Sequence, residues 1–151
     1  MQALGYPHVL RAWNFLTDIN DGEGDAERYR HFSVGRHRAF ARKPGFEACL
    51  PAGTAIGTPT SELIVMFLAA KTAGVQVENP RQVSAFRYPR EYGPKAPSFA
   101  RAVFARGHLL VSGPALVICH VSMPTGDVLA PLRYTHANLL TQVQFTAYPP
   151  C

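Results

Sequence analysis

Between Phe86 and Ala102 the chain places Arg87, Arg90 and Arg101 beside the hydroxyl-bearing Tyr88 and Tyr92, in a stretch holding three prolines and Gly93. Planar guanidinium groups match carboxylates bidentately, and tyrosine hydroxyls add neutral donors. Prolines lower the entropy lost when such a loop orders around a ligand. The chemistry on offer is the capture of a small anion; the plainer reading has these arginines solvated or paired with Glu91. Further along, Ser112-Gly113 ends an apolar strand, where a missing side chain admits either a ligand or a simple bulge. Cys119 and His120 follow. His120 has the type of a general base, although a lone histidine beside Val121 and Ser122 is more often a hydrogen-bonded structural residue. Cys119 would need a lowered pKa to act as a nucleophile, and its apolar neighbours Val117 and Ile118 favour inert packing. The six histidines show no HxxxH or HxH spacing, so no metal site is read.

Charge distribution narrows the partners. The net charge is +5, and residues 1–79 are balanced with eight Lys/Arg and eight Asp/Glu. Residues 80–151 carry seven Lys/Arg against Glu91 and Asp127 alone, six of the seven between Arg81 and Arg106. Such an excess reads as a nucleic-acid footprint or a small-anion pocket. Arginines interleaved with Pro and Gly, instead of clustered on a helix face, favour the small anion over nucleic acid. No apolar run approaches the ~20 residues of a membrane helix, and the first residues lack the pattern of a signal peptide. Three widely spaced cysteines without a CxxC predict no disulfide framework, with a reducing cytoplasm as the default location.

The elements that must position these groups follow from periodicity. Val9–Leu16 reads as a strand. Asp25 is a candidate N-cap for a helix over Ala26–Phe40, with Tyr29, Phe32 and Phe40 near one face and Gly35 marking close packing against a sheet. Arg36, His31 and His37 are assigned to the exposed face. Pro44-Gly45 ends the helix. Strands are expected around Ala48–Gly57 and Glu62–Thr72; the apolar run Leu63–Leu68 is expected to be buried on both faces. Gln76–Arg81 reads as a polar connection and internal boundary, and Val83–Tyr88 as the next strand. Ala102–Ala105 and Leu109–Ile118 form a hairpin around Arg106-Gly107-His108. A helix over Val128–Val143 follows. The 151 residues make one domain of two half-modules, 9–72 (β-α-β-β) and 83–143 (β-β-β-α), in an α/β layer fold with two helices covering one face of a sheet.

Several stretches resemble the chorismatases, enzymes that hydrolyse chorismate with release of pyruvate. They are Arg11–Leu16 with Ile19-Asn20, Glu27–Phe32 with Gly35-Arg36, Leu50–Ala52 with Ala55–Gly57, Phe86–Pro94 with Pro97–Ala102, and Ser112-Gly113 with His120 and Gly126-Asp127. The resemblance implies a YjgF/Rid or chorismate-mutase-like sheet. A chorismatase is about twice this length, built from two such domains in tandem. Residues 9–72 look like the second half of the first and 83–143 like the first half of the second, equivalent to a circularly permuted single domain. It further implies a substrate site of Arg87, Tyr88, Arg90, Tyr92, Phe99, Arg101, Ser112, Gly113 and Ala115. The ligand would be chorismate or a related cyclic carboxylate, handled without cofactor by hydrolysis or elimination. Two departures bear on turnover. The family's Ser-Gly segment continues Thr-Ala-Ser, here Pro114-Ala115-Leu116, and its catalytic glutamate segment has no counterpart. In the permuted arrangement Glu62 is the carboxylate best placed to substitute. The resemblance therefore leaves three readings: a chorismatase-like enzyme, a catalytically inactive oligomeric binding protein, or a Rid-type imine deaminase. Rid-like domains commonly trimerise, which favours a homotrimer.

Overall fold

The computed structural model of the chain describes residues 2–59, 61–80, 82–113 and 146–147. The expected helix over 128–143 and the candidate residues Ala115, Cys119 and His120 lie outside the described residues.

Strand β1 (His8–Thr17) is central to the first sheet. Its apolar residues Leu10, Ala12 and Leu16 are buried together with Arg11 and Asn14. Helix α1 (Arg28–Phe40) then crosses to β2 (Ala52–Thr58), which pairs parallel with β1. Strand β3 (Ile64–Ala70) pairs antiparallel on the other side, giving the order β2-β1-β3. The second sheet is antiparallel, in the order β6-β5-β4-β7, from β4 (Val75–Glu78), β5 (Ala102–Ala105), β6 (His108–Val111) and β7 (Thr146–Ala147). The fold is thus mixed α/β, with two small sheets and one α-helix among the described residues. The hairpin turn between β5 and β6 is the two-residue Arg106-Gly107, both at positive φ (50° and 82°). That is the mirror-image turn whose twist matches the flanking strands.

The sheets join along the outer edge of β2. Ala52 bridges Ala100, Ala100 N donates to Pro51 O at 2.9 Å, and Gly53 N donates to Ser112 Oγ at 2.8 Å. Leu10, Ala52, Ala100, Val103 and Ala105 form the shared core, and small side chains allow that close approach.

Several expectations are corrected. The helix starts at Arg28, and Glu27 precedes it without a side-chain cap. Asp25 instead lies in a 3-10 turn, where its carboxylate is taken by Arg90 and Arg30. Gly35 meets nothing: a Cβ there would stand in open space. The first expected strand of the middle region begins at Ala52, after a 3-10 turn at Phe46–Cys49. Among the described residues the apolar run is an edge strand with both faces open; Ile64, Met66 and Phe67 are 42%, 55% and 48% exposed. Conversely the polar Val75–Glu78 is a strand with Gln76 and Glu78 buried. Gln76 is satisfied at long range, its Nε2 donating to Glu47 O (2.8 Å) and Leu50 O (3.1 Å), and Glu78 Oε1 accepts from the Arg101 backbone N–H. The expected strand over Val83–Tyr88 is a 3-10 turn, Ala85–Arg87, anchored by buried Ala85. Among the described residues no helix is long and apolar enough to cross a membrane, and no cluster of three or more His, Cys, Asp or Glu is placed to hold a metal ion.

Candidate functional site

The arginine-bearing segment folds as two 3-10 turns, Ala85–Arg87 and Arg90–Tyr92, which lead into an extended stretch ending in β5. Arg101 is its organising side chain. Its Nη2 donates to Val83 O at 2.9 Å and to the Tyr88 hydroxyl at 3.3 Å, so it closes the turn over itself. Tyr88 in turn lies against Tyr92, ring centroids 5.4 Å apart. Behind Arg101 sits Glu78, with 3% of its surface exposed. Glu78 Oε1 accepts from the Arg101 backbone N–H at 2.8 Å, and Oε2 lies 3.7 Å from Arg101 Nε. Burial pushes the Glu78 carboxyl above its ordinary value, while hydrogen bonds from the Arg101 backbone and Ser84 and the Arg101 charge oppose that shift. The guanidinium is thus braced from one side by a buried carboxylate and from the other by a carbonyl and a phenol.

The other two arginines of the segment are differently employed. Arg90 is exposed and grips both oxygens of Asp25. That bond, and then the Arg90 charge, hold the Asp25 carboxyl below its ordinary value. Arg87 is exposed as well, 3.4 Å from a Glu47 carboxylate oxygen and 5.6 Å over the Phe86 ring.

Phe99 and Gly113 take part in a second arrangement. Together with Asn14, Phe32, Arg36, Thr54, Ser98 and neighbours they line a cavity of about 190 Å³ between α1, β2 and the Pro97–Phe99 strap. Gly113 is required there: a Cβ would fall 2.6 Å from Thr54 Oγ1, the atom that accepts the Gly113 N–H at 2.9 Å. Ser112 braces the wall from behind, its hydroxyl donating to Ala100 O and accepting from Gly53 N. Glu62 lines neither this cavity nor a second one, of about 210 Å³, between the start of β1, the end of α1 and the Phe46–Cys49 turn; it is exposed, in the loop that leads into β3 on the far edge of the sheet from β2.

Arg36, Ser98, Asn14 and Arg11 were not among the sequence-derived candidates. Arg36, placed by sequence on the exposed helix face, lines the cavity instead. The signal was present, because Arg36 is four residues after Phe32 and four before Phe40, on the apolar stripe. Its Nε donates to Ser98 O at 3.0 Å, and burial brings its pKa down to about 10.

The family profile described as "Chorismatase FkbO/Hyg5-like, N-terminal" matches residues 1–69. A 3-hydroxybenzoate synthase of Streptomyces hygroscopicus is 39% identical, over 92% of this chain and 44% of its own length. A chorismatase of Streptomyces rapamycinicus is 37% identical over 90% of this chain and 43% of its own. The crystal structure of a chorismatase superposes with a TM-score of 0.70 at 38% identity, covering 84% of this chain and 40% of that one. The chain spans less than half the length of the relatives it matches. Profile, sequence relatives and solved structure agree that over most of its length the chain is similar to part of a chorismatase.

Proposed function

We propose that the chain binds chorismate or a related cyclic carboxylate through Arg101 and Tyr88, with Arg87 and Tyr92 at the rim. One observation carries this reading. The Arg101 guanidinium is held in a fixed orientation by Val83 O, the Tyr88 hydroxyl and Glu78. A preoriented, partly exposed guanidinium loses little freedom on taking a carboxylate. Turnover, where it occurs, is hydrolysis or elimination that releases pyruvate. Calorimetric titration of chorismate into wild type and Arg101→Ala tests the reading: binding by wild type, weakened about tenfold or more in the variant, is expected. Absence of binding by wild type refutes it.

A second reading, a binding protein without turnover, is favoured by the position of Glu62, exposed and away from both cavities. Chorismate binding without pyruvate release above background would select it. We also propose self-association, with a trimer as the family resemblance implies. Its support is β3, which among the described residues is an edge strand with exposed apolar side chains and without Pro or charge between Leu63 and Ala70. Sedimentation equilibrium giving a monomer mass at all concentrations would remove this part.

A further inference from the structure

We propose that Glu78 is the positioning residue of the anion site at Arg101 and couples capture of a ligand carboxylate there to the uptake of one proton. This rests on the function proposed above. The first observation is how loosely the pair is closed. The side chains are 3% and 28% exposed, yet Glu78 Oε2 stands 3.7 Å from Arg101 Nε, beyond hydrogen-bond reach. Both atoms are shut off from solvent and neither has a hydrogen-bond partner. A buried carboxylate is secure as an ion only when its oxygens are bonded and a cation is close. Oε1 meets that condition through the Arg101 backbone N–H at 2.8 Å, and Oε2 does not. A proton on Oε2 would leave the Oε1 bond in place, so the segment keeps its position while the charge behind Arg101 changes.

The second observation is how few charges surround Glu78. Strand β4 is flanked by β5 and β7, with Val77 opposite Ala102 and Glu78 opposite Thr146, and neither facing residue ionises. Before the Ala85–Arg87 turn, Ser84 bonds the carboxylate, and Tyr88 meets the same guanidinium at Nη2. Among the described residues Arg101 is the one charged side chain within ion-pair distance of Glu78, and Glu78 the one acid within that distance of Arg101. A ligand carboxylate on Arg101 therefore draws on the counter-charge that Glu78 depends on. It also brings a like charge close to a poorly solvated carboxylate, and both effects favour the neutral acid. Glu78 then takes a proton from solvent onto Oε2. Burial already holds this carboxyl above its ordinary value in the free chain, and the ligand raises it further. The complex thus binds more protons than the free chain. Affinity is highest below the free value, falls as pH rises from there to the liganded value, and levels off above it.

Chorismate is the probe, titrated by calorimetry into the full chain from about pH 5 to about pH 8, where ligand carboxylates stay ionised. Wild type should lose about tenfold in affinity across that range, since one linked proton changes affinity by at most about tenfold per pH unit. Titrations in buffers of different ionisation heat should show uptake of up to one proton per ligand. Glu78→Gln keeps an acceptor for the Arg101 N–H and stays neutral. It should bind with the same affinity within about twofold at every pH and take up no proton. A Glu78 of purely structural importance would instead weaken the variant uniformly and leave the pH slope intact, which overturns the inference. So does equal proton uptake by both proteins, which assigns the proton to another group. Circular dichroism and the melting temperature establish that the variant is folded. If it is not, carbon-13 NMR of wild type labelled at its glutamate carboxyls decides. The carboxyl with the highest midpoint should titrate about one pH unit higher with saturating chorismate, and an unmoved midpoint overturns the inference. No chorismate binding by wild type at any pH refutes the function proposed above together with this inference, whereas binding that ignores pH refutes this inference alone.

Discussion

Two sets of arginines divide the molecule. Arg87 and Arg90, conspicuous in a short basic segment, sit on the surface with Glu47 and Asp25 as partners. Arg11 and Arg36, scattered over a strand and a helix, have no acid within ion-pair reach among the described residues. Arg101 stands between the two classes, 28% exposed and backed by the buried Glu78. The difference shows that density of positive charge along the sequence is a poor guide to unspent binding capacity. What counts is whether the fold has already supplied the counter-charge.

The comparison can be broken first at Glu78, where the largest effect is expected. Glu78→Ala removes the acceptor of the Arg101 N–H and the charge behind its guanidinium, and should cost about 2 kcal/mol of folding stability. The full cost of splitting a buried pair is not expected, because Arg101 retains some contact with water. Glu78→Gln keeps an acceptor and removes the charge, so it should be milder and should also alter the pH dependence. The folded-state pKa of Glu78 is raised chiefly by burial, so the folded chain holds this proton more tightly than the unfolded one. Stability from this group is present below the ordinary glutamate pKa and is lost as pH rises through the raised value. Denaturation curves from about pH 4 to about pH 7 should show wild type losing stability relative to Glu78→Gln as pH rises. Parallel curves would mean that burial does not perturb Glu78.

Legibility in the sequence follows the same division between local and long-range causes. Strand β1 and the β5–β6 hairpin were readable because alternation and the Arg106-Gly107 turn are local signals. Leu63–Leu68 was readable as a strand and not as an exposed one. An apolar run records that cover is needed, and says nothing of what provides it. Val75–Glu78 was missed because buried Gln76 and Glu78 lean on bonds to Glu47, Leu50 and Arg101, each more than twenty residues away. Phe99 and Gly113 were named through the family resemblance together with Arg101, and the fold sets them on a cavity that Arg101 does not line. Arg36 was discounted because a charged residue on a helix is ordinarily solvated; only the strap at Pro97–Phe99, brought in across the β2 edge, encloses it.

The smallest expected effect sharpens the comparison from the surface side. Arg87 and Glu47 are 69% and 45% exposed with 3.4 Å between charged atoms. An exposed pair of that kind gains little Coulomb energy in water and loses side-chain entropy, so Arg87→Ala should change folding stability by no more than about 0.5 kcal/mol. Its affinity for chorismate, under the proposed function, should nonetheless fall, because a guanidinium so weakly held by Glu47 is free to exchange one carboxylate for another. Urea denaturation and chorismate titration of the same variant separate the two quantities. A stability loss above about 1 kcal/mol would exceed what exposed pairs supply and would mean that Glu47 already commits Arg87 structurally. Unchanged affinity with unchanged stability would instead leave Arg101 as the anchor and remove Arg87 from the site.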